Sequence, residues 1–164
     1  MQLTSDSGNI IPEIAQPKLN KPELQLGSNG EAVEELQQLL TNLGIYAGKI
    51  DGVFEEITQE SVKQFQRQVF LPEDGIVDNN TWQALYTGAP VNLPELKKGS
   101  QGELVMKVQR ILKSTQDYIG YVDGEFGAIT ESAVQGWQVR NNLPDTGIID
   151  EATWRTLSQI PQYM

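Results

Sequence analysis

One stretch of the chain occurs twice, and this duplication constrains the fold more than any other feature. Residues 46–54 and 118–126 share the pattern Tyr-x-Gly-x-x-Asp-Gly-x-Phe. With an offset of 72 residues and no gap, residues 22–85 align with 94–157, and 27 of the 64 pairs are identical. A gapless match of that length indicates one folding unit that is used twice.

The duplication divides the 164 residues into two small domains. We assign these lobes to residues 22–88 and 94–164, with a linker at 89–93. Units of about 65 residues have thin cores, so we expect the lobes to pack on each other or to share a short stiff joint. Residues 1–21 contain two prolines and no sustained hydrophobic period, which predicts an extended tail or linker. The alternative is that its isoleucines, Ile10, Ile11 and Ile14, dock against a lobe.

Each repeat has the apolar spacing of three helices. Asp78 is a good N-cap for the third helix, and Asp150 repeats it. The chain is therefore predicted to be all-α, with two tandem three-helix lobes joined by a short linker. The apolar faces expected in the first repeat are Val33, Leu36, Leu40 and Leu43, then Ile57, Val62, Phe65 and Val69, then Trp82 and Leu85. The second repeat keeps Val105, Val108, Ile111, Leu112, Ile129, Val134, Trp137, Trp154 and Leu157.

The ends of the first helix in each repeat carry further signals. Ser28 and Glu31 have the spacing of a capping box, and residues 100–103 repeat it. Gly44 follows the helix where a left-handed residue is expected. Because Gln116 stands at the equivalent place in the second repeat, we expect that helix end to differ.

Composition excludes several classes of function. The chain has no cysteine and no histidine, so disulfides, His/Cys zinc sites and Ser-His-Asp or Cys-His catalysis are excluded. The net charge is −10 and no basic stripe exists, which argues against nucleic acid as a partner. No apolar run is long enough to span a membrane, and no signal peptide is visible. We predict no cofactor and no metal.

The acidic excess is unevenly divided between the repeats. Residues 22–88 hold 11 acidic and 3 basic side chains, whereas residues 94–157 hold 9 acidic and 7 basic ones. The second lobe is therefore the better candidate for an anionic ligand, because long-range repulsion from it is weaker.

The ordered set of residues in each repeat resembles the peptidoglycan-binding domain 1 family, which is found beside bacterial cell-wall hydrolases. The set is Gly-Ser-x-Gly-Glu-x-Val, a Leu-Gln or Val-Gln pair, the Tyr-to-Phe pattern, Ile-Thr, Phe-Gln or Trp-Gln, Leu-Pro, Gly-Ile and Thr-Trp-x-x-Leu. The family usually has glycine where Glu55 stands, and often where Phe70 and Asn142 stand. Phenylalanine adopts the left-handed conformation poorly, so we expect the first lobe to differ locally there.

The resemblance implies non-catalytic binding of bacterial cell-wall peptidoglycan, through its stem peptide or its glycan. It also implies a place outside the cytoplasm, in the periplasm or cell wall, and a cell-wall hydrolase as a possible partner. The alternative function is a protein–protein adaptor that uses the same fold. A pair of catalytic carboxylates is conceivable, but every carboxylate in the matched stretches has a capping, turn-forming or surface explanation, so we predict that the chain is not an enzyme.

The candidate ligand-binding residues lie on the repeated loop and at the start of the helix that follows it. A tyrosine at the edge of a loop can stack on a sugar or peptide while its hydroxyl stays in water. Free amides at a helix start can receive a carboxylate. The aspartates are expected to bond nearby backbone amides and to stiffen the turn. The residues are Tyr46, Asp51 and Thr58 in the first repeat and Tyr118, Tyr121, Asp123 and Thr130 in the second.

Overall fold

The computed structural model describes residues 19–162, and it contains six helices in that range. They are α1 (Glu31–Asn42), α2 (Glu56–Gln68), α3 (Asn79–Thr87), α4 (Glu103–Ser114), α5 (Ala128–Arg140) and α6 (Glu151–Leu157). No extended strand occurs within these residues, only isolated bridges. The prediction of an all-α chain with two three-helix lobes is confirmed.

Isolated antiparallel bridges tie the loops of each lobe together. In the first lobe Leu24 pairs with Val77, and Asn29 pairs with Val53. The second lobe repeats both at the 72-residue offset, as Leu96 with Ile149 and Gln101 with Glu125. Each bridge fixes the entry to a helix against a loop from elsewhere in the same lobe.

The third helix of each lobe places a tryptophan in the core. Trp82 is fully buried, and Trp154 retains 2% of its surface. Each indole nitrogen donates a hydrogen bond of 2.8 Å to a backbone carbonyl 60 residues earlier, that of Pro22 or Pro94. Leu85 and Leu157 are buried as predicted. Through these tryptophans, the last helix of each lobe is fastened to its first residues.

The predicted aspartate caps of the third helices are confirmed. The prediction of a capping box at the first helix of each lobe is wrong. Asp78 and Asp150 each accept a hydrogen bond of 3.0 Å from the amide three residues on. α1 and α4 instead begin after glycines, Gly30 and Gly102, without a side-chain cap. The Ser28 hydroxyl accepts the amide of Gln25, three residues before it, and so closes the preceding turn.

The exposure of two helix residues also corrects the predicted faces. Ile57 is 52% exposed and Ile129 is 56% exposed, because each lies in the first turn of its helix, beyond the edge of the core. Leu43 is 38% exposed just past the end of α1. The expected difference at the ends of α1 and α4 is absent, since Gln116 adopts φ 70° where Gly44 has φ 77°.

Phe70 joins the two lobes. It lies after α2 with φ 65°, and Asn142 has φ 60° at the equivalent place, so the expected local difference in backbone is wrong. The strained conformation turns the Phe70 side chain into the core of the second lobe, where its ring lies 4.8 Å from that of Trp154. A second contact comes from Gln162, whose side-chain amide donates to the carbonyl of Arg67 at 2.9 Å.

Residues 19–21 and the linker at 89–93 pack against the lobes. Leu19 packs against the first core, and the Lys21 amino group lies 2.5 Å from the Glu35 carboxylate. In the linker, Val91 packs against the first core and Leu93 against the second. The docking considered for Ile10, Ile11 and Ile14 lies outside the described residues. Among the described helices, none combines the length and the hydropathy needed to cross a bilayer.

Candidate functional site

A buried glutamine holds the repeated loop of the first lobe in shape. Gln37 lies on the inner face of α1 and has no exposed surface. Its carbonyl oxygen accepts the amides of Asp51 and Gly52 at 3.0 and 2.9 Å. Its amide nitrogen lies within 3.3 Å of the Tyr46 hydroxyl, the Asp51 carboxylate, the Val53 carbonyl and the Thr58 hydroxyl. One side chain therefore connects the loop, the helix before it and the helix after it.

The second lobe repeats this arrangement atom for atom. Gln109 accepts the amides of Asp123 and Gly124 at 3.1 and 2.9 Å. Its nitrogen lies within 3.2 Å of the Tyr118 hydroxyl, the Asp123 carboxylate and the Thr130 hydroxyl, and 3.0 Å from the Glu125 carbonyl. Because buried polar groups must be paired, the same loop shape follows in both lobes.

A second glutamine in each lobe serves the loop between the second and third helices. Gln66 on α2 accepts the Gly75 amide at 3.0 Å and donates to the Ile76 carbonyl and the Thr81 hydroxyl. Gln138 on α5 does the same for Gly147, Ile148 and Thr153. All four glutamines are at most 1% exposed. Each lobe thus contains the same arrangement twice: a buried helix glutamine forms hydrogen bonds with the glycine-containing turn that follows the helix.

The two loop aspartates accept hydrogen bonds, as predicted. The Asp51 carboxylate accepts the Val53 amide at 3.0 Å, and Asp123 accepts the Glu125 amide at the same distance. These backbone bonds first, and the bonds from Gln37 and Gln109 second, lower the pKa of both carboxyls below the ordinary value of 3.8. Both aspartates therefore remain ionised acceptors that stiffen the turn.

The tyrosine that opens the repeated loop in each lobe is not exposed at the loop edge, so the expected water-facing hydroxyl is wrong for both. Tyr46 and Tyr118 are each 5% exposed. Their hydroxyls donate at 2.6 Å to the carbonyls of Lys49 and Tyr121. They support the loop from inside, and contact of either with a ligand stays a prediction.

The remaining candidate residues divide into buried and exposed. Thr58 and Thr130 are at most 1% exposed, and their hydroxyls belong to the glutamine networks. Tyr121 is 86% exposed at the tip of the second loop, beside Ile119 at 87%. Of the seven candidates, only Tyr121 presents a large, open aromatic surface. The Lys113 amino group bonds the Gly120 carbonyl at 2.7 Å and holds this tip against α4.

The first lobe presents a different surface at its loop. Leu26, Val53 and Ile57 are between 41% and 52% exposed and line a shallow groove of about 630 Å³. Glu55 and Glu56 lie in the same groove. The second repeat has Lys98 and Glu125 in place of Leu26 and Val53, and Gly127 and Ala128 in place of the two glutamates. The lobes therefore share a scaffold and differ in the surface that it supports.

The site offers surfaces for contact and no grouping for metal chemistry. Within residues 19–162, no three histidine, cysteine, aspartate or glutamate side chains are placed to hold a metal ion. The loop aspartates are bound to backbone amides and to glutamines, which leaves them as structural acceptors. Stacking, apolar contact and hydrogen bonding are what the described loops provide.

Sequence reasoning missed the role of the four glutamines. The signal was present, because Gln37 and Gln109 stand at the same place of the repeat inside an apolar helix face. A polar residue that recurs among inward-facing positions needs an internal partner. The glycine turn that supplies this partner lies 15 residues away in the chain, so it became evident only from the structure.

Comparison with known protein families gives one match in each lobe. A model described as "Putative peptidoglycan binding domain" matches residues 29–85 and again 101–157, so each lobe contains one match. Together the two segments cover more than half of the chain.

Individual relatives match parts of larger proteins. The "Spore cortex-lytic enzyme" of Bacillus cereus is 38% identical over 77 residues, which are 47% of this chain and 30% of that protein. "N-acetylmuramoyl-L-alanine amidase CwlM" of Mycobacterium tuberculosis is 29% identical over 149 residues, 82% of this chain and 37% of that protein. The solved structure titled "The crystal structure of SleB N-terminal domain" is 39% identical, with a TM-score of 0.41, and covers 42% of this chain and 94% of that one. The chain thus spans about a third of the curated relatives it matches.

Proposed function

Because the chain belongs to the peptidoglycan-binding domain family, with one domain in each lobe, we propose that it binds bacterial cell-wall peptidoglycan without cutting it. The relatives named above carry names of cell-wall-lytic enzymes, and they match this chain over 30% and 37% of their length. A place outside the cytoplasm and a hydrolase as partner or attached domain belong to the same proposal.

One observation carries the proposal. Each lobe holds its repeated loop in a fixed shape with a buried glutamine, and the second loop presents Tyr121 at 86% exposure on that rigid support. Because the loop backbone is fixed, stacking of the Tyr121 ring on a sugar or a peptide costs mainly the freedom of its own side chain. We assign the main contact to Tyr121, with Ile119 beside it.

The second lobe is the stronger binder in this proposal. Residues 94–157 carry a net charge of −2, against −8 for residues 22–88, and wall peptides bear carboxylates. The first-lobe groove has Glu55 and Glu56 where the second lobe has Gly127 and Ala128. Repulsion from the first lobe acts over ~10 Å at 0.1 M salt and weakens as salt is added.

Sedimentation with purified sacculi tests the proposal on the full chain. The full chain is required because Phe70 fills part of the second core, which a fragment starting at residue 94 would lack. Tyr121→Ala should reduce the bound fraction at least fivefold. The matched control is Lys49→Ala, at the equivalent position of the first loop, which should change binding less than twofold.

Three outcomes would each contradict a part of this proposal. Equal losses for the two variants would show that the exposed ring is not the contact. Absence of sedimentation by the unaltered chain would refute peptidoglycan binding and favour the alternative of a protein–protein adaptor. Release of soluble muropeptides by the purified chain, abolished by one Asp or Glu substitution, would contradict the non-catalytic part.

A further inference from the structure

A cleft of about 350 Å³ lies between the two lobes, away from both repeated loops. The first lobe contributes Arg67 and Glu73, from the end of α2 and the segment after it. α4 of the second lobe forms another wall, and residues 161–162 close the cleft from the C-terminal side. This volume is at the lower end for ligand pockets, ~300–1,000 Å³, so the cleft has room for a small group and not for a polymer.

The three cations that line the cleft differ in whether they form an ion pair. The Arg67 guanidinium is already engaged, since it donates two hydrogen bonds, of 3.0 and 2.9 Å, to one oxygen of Glu73. Lys107 and Arg110 lie one turn apart on α4. Neither belongs to any of the ion pairs that the structure gives within residues 19–162, and neither side chain donates a hydrogen bond there. In a chain with a net charge of −10, two cations that have no partner among residues 19–162 create a local positive potential beside the cleft.

Comparison of the repeats shows that this charge is specific to the second lobe. The positions of Lys107 and Arg110 are occupied in the first lobe by Glu35 and Gln38. Glu35 is neutralised by Lys21 of the preceding segment at 2.5 Å. The two lobes are alike in fold, so the cations serve no requirement of the fold itself.

We propose that the cleft between the lobes binds a peptide carboxylate, with Lys107 and Arg110 as its ionic contacts. A peptide carboxylate fits better than inorganic phosphate, because phosphate has no side chain that the apolar part of the cleft could cover. Ile111 and Pro161 supply apolar surface for the side chain next to the carboxylate. The proposal depends on the cleft alone and holds whether or not the loops bind peptidoglycan.

The test uses the full chain and N-acetyl-dialanine as the probe, with its C-terminal amide and inorganic phosphate as comparison ligands. Chemical-shift titration of backbone amides should show changes in α4 and at residues 67–73 with the free carboxylate. The amide should bind at least tenfold more weakly, and phosphate should bind more weakly than the carboxylate.

Substitutions separate the cleft from general charge effects. Lys107→Gln and Arg110→Gln should each weaken binding at least fivefold. Lys98→Gln removes the same charge from an exposed site of the second lobe outside the cleft, and it should change binding less than twofold. Glu103→Gln removes a repelling group and should tighten binding, a gain that misfolding cannot produce.

Three results would overturn the proposal. One is a lack of response of α4 to the carboxylate. Another is an equal loss of affinity for the control and the cleft variants. The last is tighter binding of phosphate than of the carboxylate, which would assign the cleft to a different class of anion.

Discussion

Replacement of Gln37 by leucine tests whether the buried glutamine holds the first lobe together. Leucine keeps much of the bulk and removes every hydrogen bond. The Gly52 amide and the Thr58 hydroxyl are then left buried without this partner. Each such group costs about 1–3 kcal/mol, while the partly exposed Asp51 amide can bond water. The sum predicts a loss of about 2–6 kcal/mol, against a whole-domain stability of about 5–15 kcal/mol.

Urea unfolding followed by far-UV circular dichroism measures this loss. The matched control is Gln38→Leu, one residue further along α1, where the exposed side chain bonds only Asn42 across one turn. Surface changes of this kind usually stay within about ±0.5 kcal/mol. If the free energies of unfolding of the Gln37 and Gln38 variants lie within about 1 kcal/mol of each other, the loop does not depend on the glutamine.

Three further predictions concern the two cores and the loss of stability at low pH. Trp82→Ala and Trp154→Ala should each destabilise their lobe by about 3–5 kcal/mol in urea unfolding, and effects below about 1 kcal/mol at both sites would contradict the packing. Phe70→Gly should speed hydrogen exchange in the second lobe more than in its own, because the ring lies in the second core; the opposite order would refute this coupling. Since the folded-state pKa of Asp51 and Asp123 lies below 3.8, their contribution is present above that pH and is lost as the pH falls. The double Asp→Asn variant should therefore show a shallower fall of the urea midpoint from about pH 4 to pH 2, and an unchanged slope would argue against it.

The sequence predicted what depends on local periodicity and on the repeat. The helices, the aspartate caps at Asp78 and Asp150, and the burial of both tryptophans each have a signal within a few residues. Periodicity also placed Ile57 inside, although the first turn of α2 extends past the core. Helical periodicity indicates which face of the helix a side chain lies on. It does not indicate whether a neighbouring element extends far enough to cover that side chain.

Several other features depend on contacts that residue type and spacing do not encode. The water-facing position expected for Tyr46 failed because the Lys49 carbonyl and Gln37 enclose its hydroxyl. The exposed ring of Tyr121 lies only three residues beyond its buried counterpart Tyr118, so residue type alone does not separate them. The backbone of Phe70 follows the common pattern, and its side chain goes to a core that belongs to the other repeat.

The position of Phe70 also bears on how a pair of lobes would meet a polymeric wall. Two binding modules on a loose tether gain avidity on many surfaces, because the tether adapts to any spacing within its reach. Here one aromatic ring from the first lobe is fixed in the core of the second, which restricts their relative orientation. If both lobes bind, the gain from the second contact is then largest where neighbouring sites in the wall have the matching separation and direction. The pair would then bind selectively to walls in which the sites have this spacing. A substitution that frees the ring would lower the affinity for such walls and allow binding to walls with other spacings.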